Sequence, residues 1–559
     1  MTGLKDKSIK DAIHGYIKVE EPFWRIIDTA EFQRLKWVEQ TSYRVLYPSA
    51  RHDRFIHSIG VYHLGQKAIE GFISNSNGED ATEIEKHKYS FLFACLLHDI
   101  GHAPFSHTCE DLYNYQYKVS NIDAPINQEL LKELKTNLEN DVYDVFEEDY
   151  KYILSPKGKS PSEHEIMSAI VTCRKFKEYL AFFSECKNPT LDLDLIVRAI
   201  LGCCYESKRE DTRQVNTIKG IKNCLIRLLN SSTVDVDKLD YIARDTQMSG
   251  YDNIVLDTER LLNSVCMVCD DNIYYPSFKK SALSVINNVV LAKNSQAKWI
   301  VNHPIVIYES YILRRAIGET LKAHHILVDG NDFSGDELIK FIFSSSSLSK
   351  EGNVYEGGFF NLLSDVEILS LMKQNLVIPS VSEFFSRNER KSPIWKSHEE
   401  FLFCLESNTG KASELAAFIA PLISYLNNIE DLSHAKQIDM SLYDEIMSDN
   451  ELEGKEEIIK ILDVLKNYRL EDGSDGGFNY VILPAKNRFF AKIDSNSLYI
   501  RFNDDLKGFA TYNTFENNQI DNTNRNYEFF YIYSKTKLNA KHFLNYLYLE
   551  AHKCAGVRM

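Results

Sequence analysis

The run Leu96-Leu97-His98-Asp99-Ile100-Gly101-His102-Ala103-Pro104-Phe105-Ser106-His107 decides the reading of this chain. An adjacent His-Asp at the end of the apolar stretch Phe91 to Leu97 offers one imidazole nitrogen and one carboxylate oxygen to a single cation, and His102 and His107 follow a turn or two later. Alone, such a pair reads as the polar cap of a core helix. Three distant segments argue for metal chemistry instead. Arg54-Phe55-Ile56-His57-Ser58-Ile59-Gly60-Val61 sets His57 at the start of a stretch with helical apolar spacing. Asp235-Val236-Asp237-Lys238-Leu239-Asp240-Tyr241 supplies a second carboxylate, and His164-Glu165 lies between. Two imidazoles and two carboxylates, from His57, His98, Asp99 and Asp237, make a nitrogen and oxygen set suited to Zn, Mn, Fe or Mg, with room for water and substrate oxygens.

The order His, His-Asp, Asp is the signature of HD-domain metal-dependent phosphohydrolases. Together with Asp11-Ala12-Ile13-His14-Gly15, the segment Arg25 to Leu35 (RIIDTAEFQRL) and Asp235 to Asp245, it resembles the HD-domain deoxynucleotide triphosphohydrolases, animal antiviral members among them. The likeness covers about residues 5 to 255. With its first motif at Asp11, no sterile-alpha-motif domain is expected ahead of the HD core.

The chain has 559 residues, enough for more than one core. Its formal charge of −16, from 64 basic and 80 acidic residues, argues against broad nonspecific nucleic-acid binding. A phosphorylated small molecule is compatible, met by local positive charge from a cation, Arg54 and Lys238. No apolar run reaches the ~18 residues of a membrane helix, no signal-peptide core is found, and the 11 cysteines form no disulfide framework, so a cytoplasmic location is expected. Cys266-Met267-Val268-Cys269 stands alone in an apolar stretch and reads as a buried structural pair.

Helical spacing recurs in Ile59–Phe72, Tyr89–Leu97, Ile166–Tyr179, Leu195–Cys204, Ile218–Leu229 and Ala282–Ile300, which predicts an all-α core and a helical reading to about residue 470. Lys151–Ser162 reads as a loop delivering His164, and Ser344–Ser349 as a break. After Gly473-Ser474-Asp475-Gly476-Gly477, short β-branched and aromatic runs at Val481–Leu483, Phe489–Ile493, Leu498–Phe502 and Phe529–Tyr533 precede a last helix at Ala540–His552, and Asn503–Asn526 reads as a long loop. The expected fold is mainly α: an HD-domain helical core over 1–330, a helical extension over 331–472 and a small α+β C-terminal lobe over 473–559.

Phosphoester hydrolysis needs charge neutralisation, an activated water and a proton donor. His107 is the expected general acid, because imidazole titrates near neutrality at ~6.5. Glu110, three residues on, is expected to hold it protonated; the family has Asp there. His102 and His164 are expected at the α-phosphate. The resemblance further implies that Arg54, Lys238 and Tyr241 bind phosphate oxygens, that Gln40 and Asp245 hold the sugar 3′-hydroxyl, and that Lys7, Asp28, Gln33 and Lys36 hold an activating GTP or dNTP, with Lys36 in place of an Arg. The family's Tyr-x-His beneath the sugar corresponds to Val306 and Tyr308 here, so deoxyribose selection is not carried over. Activator binding in the family assembles dimers into tetramers, so a homo-oligomer is expected. His164-Glu165-Ile166-Met167-Ser168 is not a zinc-protease motif, and Gly410-Lys411-Ala412 is not a phosphate-binding loop. The sequence thus points to hydrolysis of deoxynucleoside triphosphates, for nucleotide-pool control or antiviral or antiphage defence. Another HD phosphohydrolase, acting on other nucleotides or single-stranded nucleic acid, and a non-catalytic nucleotide sensor are the alternatives.

Overall fold

The computed structural model describes residues 6–115, 122–156, 158–177, 179–180, 183, 191–205, 213–232, 234–251, 255–270, 273–328, 331–344, 362–428, 437–485, 498–502, 505–508 and 528–554. They fall into two compact units, Met1–Gln296 with His324–Leu369 and Ala491–Phe515, and Ala297–Ala323 with Ser370–Phe490 and Glu516–Met559. These boundaries do not coincide with the sequence divisions at 330 and 472, because segments distant in sequence return to the first unit. The fold is mainly α, as expected.

In the first unit, the helix Arg54–Ser74 starts where the Asp53 carboxylate accepts the Ile56 N–H at 3.0 Å, satisfying one of the donors a helix leaves unpaired at its start. It packs on the helix Gly78–Leu97, whose residues Ser90 to Leu97 are all buried. A segment buried on every face runs through the core rather than along its surface, so His98 emerges in the middle of the unit. The helix Val236–Ser249 is capped by Asp235, which accepts the Lys238 N–H at 2.8 Å, and it crosses Arg54–Ser74 closely at Gly60. A Cβ at Gly60 would lie 2.0 Å from Asp240 Oδ1, so no larger residue fits without moving that carboxylate. Gly101 plays the same part against the helix Glu163–Val171, where a Cβ would lie 2.3 Å from the Ser168 nitrogen.

The all-α expectation for this unit is corrected. It carries the hairpin β1 (Lys7–Asp11) and β2 (Gly15–Val19), in register Lys7↔Val19 to Asp11↔Gly15. The strands β3 (Val265–Asp270) and β4 (Ile273–Lys279) pair antiparallel, and β5 (His325–Val328) pairs with β6 (Asn331–Ser334). Each run is too short for helical periodicity to exclude. Cys266, on β3, is buried with its Sγ 3.1 Å from Ser277 Oγ; the Cys269 side chain lies outside the described residues. The helix expected over Ala282–Ile300 runs from Leu283 to Gln296, then widens into a π turn.

The second unit is built on the sheet order β7 (Ser392–Pro393), β12 (Phe530–Ser534), β9 (Tyr480–Pro484), β8 (Gln437–Ile438). All five residues of β12 are buried. Trp395 is fully buried and donates its indole N–H to the Phe530 carbonyl at 3.2 Å. The helices Thr409–Asn428, Lys455–Lys466 and Ala540–Cys554 belong to this unit. Expected run Leu498–Phe502 is β10 (Tyr499–Phe502), which lies parallel to β4 in the first unit and antiparallel to β11 (Asp505–Gly508). The expected strand at Phe489–Ile493, the Ser-rich break beyond Ser344 and most of the Asn503–Asn526 loop fall outside the described residues. Among the described residues no helix is long and apolar enough to cross a membrane.

Candidate metal centre

Three helix ends of the first unit deliver the cluster. His57 lies in the first turn of Arg54–Ser74, His98 caps Gly78–Leu97 with Asp99 next to it, and Asp237 lies in the first turn of Val236–Ser249. His57 Nε2 is 3.1 Å from Asp237 Oδ1 and 3.5 Å from Asp99 Oδ2; His98 Nε2 is 3.4 Å from Asp99 Oδ1 and 3.6 Å from Asp237 Oδ1. The ligand atoms of His57, His98 and Asp99 all lie within 4.8 Å of one another.

The other ring nitrogens are tied outward. His98 Nδ1 donates to the Cys95 carbonyl at 2.9 Å, and a carbonyl can only accept, so Nε2 is the atom this ring would offer to a cation, and it faces inward. That Nε2 is buried and has no hydrogen-bond partner. His57 Nδ1 is 2.7 Å from Asp240 Oδ2, the carboxylate-to-histidine arrangement that orients metal-bound imidazoles. The donor set and the orphaned Nε2 fit a divalent cation. Burial opposes charge on Asp99, but Arg54, His98 and His57 hold its carboxyl well below the usual range. Burial likewise opposes a charged His57, yet its bonds to Asp237 and Asp240 raise it to about 9. A cation would displace that proton, since a ligating imidazole is neutral.

A second group adjoins the first through Asp99. His102, His107 and His164 have ligand atoms within 4.8 Å of one another. His102 stacks on His164 with ring centroids 4.0 Å apart, and its Nε2 is 3.4 Å from Asp99 Oδ1. Glu110 clamps the other two, with Oε2 2.6 Å from His107 Nδ1 and Oε1 2.7 Å from His164 Nδ1. Burial drives His102 well below its ordinary value, so this ring is neutral. Burial opposes charge on His164 too, but Glu110 outweighs it and raises the ring to about 9. Desolvation, Arg54 and the neighbouring His164 lower His107, against the raising bond from Glu110. The His107 side chain is 61 % exposed and that of Asp237 33 %, so the site opens past these two.

Of the remaining expected residues, Arg54, Lys238 and Asp245 are engaged in hydrogen bonds. Arg54 donates to Asp99 Oδ2 at 2.7 Å, Ser106 Oγ at 3.0 Å and the Gln40 carbonyl at 3.2 Å. Lys238 Nζ donates to the Ser231 carbonyl at 2.8 Å and to Asp235. Tyr241 is half-buried on the same helix. Both Asp245 oxygens are occupied, by His52 Nε2 at 2.7 Å and Gln296 Nε2 at 2.6 Å, whereas Gln40 Oε1 is buried without a partner. Val306 and Tyr308 belong to the second unit, where both are buried and the Tyr308 hydroxyl donates to Glu383.

Lys7 Nζ meets Asp28 Oδ2 at 2.6 Å and lies 4.0 Å over the Trp24 ring. Lys36 Nζ donates to Gln33 Oε1 at 2.6 Å. These are two pairs, and no contact joins one to the other among the described residues.

Several residues escaped the sequence reading. Asp240 takes His14 Nε2 on Oδ1 at 2.6 Å and both arms of Arg244 at 2.8 Å, and Arg244 also reaches Asp11 Oδ2 at 2.8 Å. The three-residue step from Asp237 to Asp240 was the available signal, since it puts both on one helix face. Lys293 is lowered to about 8 by burial and by nearby Lys238, which adds a second ammonium beside the centre.

No family profile matches the chain. It is 28% identical over 285 residues to HD domain-containing protein L394 of Acanthamoeba polyphaga mimivirus, covering 47% of this chain and 48% of that protein. It is 42% identical over 106 residues to the deoxynucleoside triphosphate triphosphohydrolase SAMHD1 of Homo sapiens, covering 18% of this chain and 16% of that enzyme. The chain spans about half or less of the length of the curated relatives it matches. A solved structure of a hypothetical protein from Aquifex aeolicus shares the fold, with a TM-score of 0.50 at 16% identity over 97% of this chain and 99% of that one. Together with the His57, His98, Asp99 and Asp237 cluster, these likenesses support kinship with HD-domain, deoxynucleotide triphosphohydrolase-like proteins.

Proposed function

We propose that this protein hydrolyses deoxynucleoside triphosphates to deoxynucleoside and intact triphosphate. The observation that carries the reading is the pair of inward Nε2 atoms of His57 and His98, facing Asp99 and Asp237 beside the His102, His107 and His164 group. A divalent cation held by those four ligands would neutralise phosphate charge and lower the pKa of a water. The chain's own residues do the rest. His102 and the cationic His164 face the α-phosphate, and Lys238, Lys293, Arg54 and Tyr241 meet the outer phosphate oxygens. A water that has released one proton to solvent attacks the α-phosphorus; the new P–O bond replaces the bond to the 5′-oxygen, which leaves on the nucleoside with a proton from His107. That ring is lowered in the free protein, and the negative charge of a bound triphosphate shifts it back toward the protonated form.

Lys7, Asp28, Gln33 and Lys36 are proposed to bind an activating guanine nucleotide, in which Asp28 accepts the base N–H groups and Lys36 meets phosphate as a point charge. Activation would act by favouring a larger homo-oligomer, in nucleotide-pool control or defence against viruses or phages. Because His52 and Gln296 already occupy Asp245, the contact to the sugar 3′-hydroxyl falls more heavily on Gln40; ribose carries the same hydroxyl, so ribonucleotides are the second substrate class to test.

The test incubates metal-loaded protein with each dNTP and NTP, singly and in pairs, and identifies products by ion-pair chromatography. Nucleoside and unbroken triphosphate are expected. Monophosphate with pyrophosphate would overturn the bond assignment, and binding without turnover would favour a sensor.

A further inference from the structure

We propose that Asp365 is the positioning residue for the turn that aims His107, an inference that rests on the reading of His107 as proton donor. Phe105 and Ser106 have φ of 57° and 51°, two consecutive non-glycine residues in the left-handed region. Such a turn persists only where its surroundings over-determine it. His107 is the next residue, so relaxation of the turn would swing its ring.

Asp365 supplies the restraint from 260 residues away. Its Oδ1 accepts the Phe105 N–H at 2.6 Å and its Oδ2 accepts the Glu39 N–H at 2.9 Å. Ser106 Oγ completes the loop by donating to the Glu39 carbonyl at 2.5 Å. The buried Arg34 guanidinium ties the same segment to the other end of the histidine motif, donating to the Leu363 carbonyl at 2.7 and 3.0 Å, to the Ile100 carbonyl at 3.3 Å and to the His102 carbonyl. The Asp365 side chain is buried and contacts none of the four metal ligands.

The charged groups facing it are Arg34, with Glu367 and Tyr113 beside that guanidinium, and Glu39. Burial dominates and raises Asp365 to about 7. The raised value means that folding favours the protonated form, so this group's contribution to stability is lost as pH rises toward 7. The turn has the opposite need. A carboxylate accepts both N–H groups, whereas a carboxylic acid places a proton on one oxygen and weakens one bond. The turn is therefore fully held above about pH 7.

The experiment compares wild type, D365N and D365A in metal content, amide exchange and kinetics between pH 5.5 and 9. In D365N, amides of Ala103–His107 should exchange on the order of tenfold faster while the Arg54–Ser74 helix and metal content are unchanged. With a nucleotide substrate, kcat should fall by about tenfold or more at constant KM, with D365A lower than D365N, and the ratio of wild type to D365N should rise through pH 7. Unaltered exchange at Ala103–His107 together with superimposable pH profiles would overturn the proposal. If D365A does not fold, D365N decides. If wild type turns over no nucleotide, the proposed function fails, while the exchange result alone settles the positioning role.

Discussion

The histidine centre and the Lys7–Asp28 pair near the N-terminus are held in opposite ways. His57, His98 and Asp99 are buried, and both imidazoles are tied outward by Asp240 or a carbonyl so that Nε2 faces the carboxylates. Lys7 and Asp28 form one ion pair at 46 % and 52 % exposure, free to rearrange in water. Burying charge is costly unless it is matched by partners, so a dense buried set marks a place where geometry was selected for chemistry. An exposed pair carries little energy and little geometric information.

Three substitutions sharpen this contrast. H107A should slow nucleotide hydrolysis by on the order of 10²–10⁴ while metal content stays intact, as steady-state rates and elemental analysis would show; an unchanged rate would remove His107 as proton donor. D240N keeps the shape but weakens the acceptor for His57 Nδ1, and titration of the stripped protein should reveal about 10–100-fold weaker metal binding. Equal affinity would mean that Asp240 serves only the His14 and Arg244 network. D28A should be smallest in stability, within about 0.5 kcal/mol of wild type by denaturant unfolding, because its partner is exposed. It should nevertheless abolish acceleration by guanine nucleotide. Retained acceleration would make the hairpin surface ordinary and confine the family likeness to the centre.

The same contrast explains what was legible. His57, His98, Asp99 and Asp237 could be read from sequence because each is fixed to a helix end by a local signal: Asp53 and Asp235 as caps, and the apolar run Phe91 to Leu97 before His98. The mainly helical fold followed from the same periodicity. The hairpin β1–β2 and strands β3 to β6 escaped, because runs of four to seven residues lack a period long enough to tell. Asp365 left no signal at all. Its partners are backbone N–H groups, which every sequence has, brought near by chain return across 260 residues. His14 sat in a quoted motif, but its bond to Asp240 spans 226 residues and needs the tertiary fold to appear.

The central claim, that the buried cluster holds a catalytic cation, is tested most directly by stripping and reloading. Wild-type protein treated with a chelator should lose nucleotide hydrolysis and regain it on addition of about one divalent cation per chain, while H98A/D99A, lacking two of four ligands, should neither retain the cation nor recover activity. Full turnover by the stripped wild type, or by the metal-free double variant, would contradict the account.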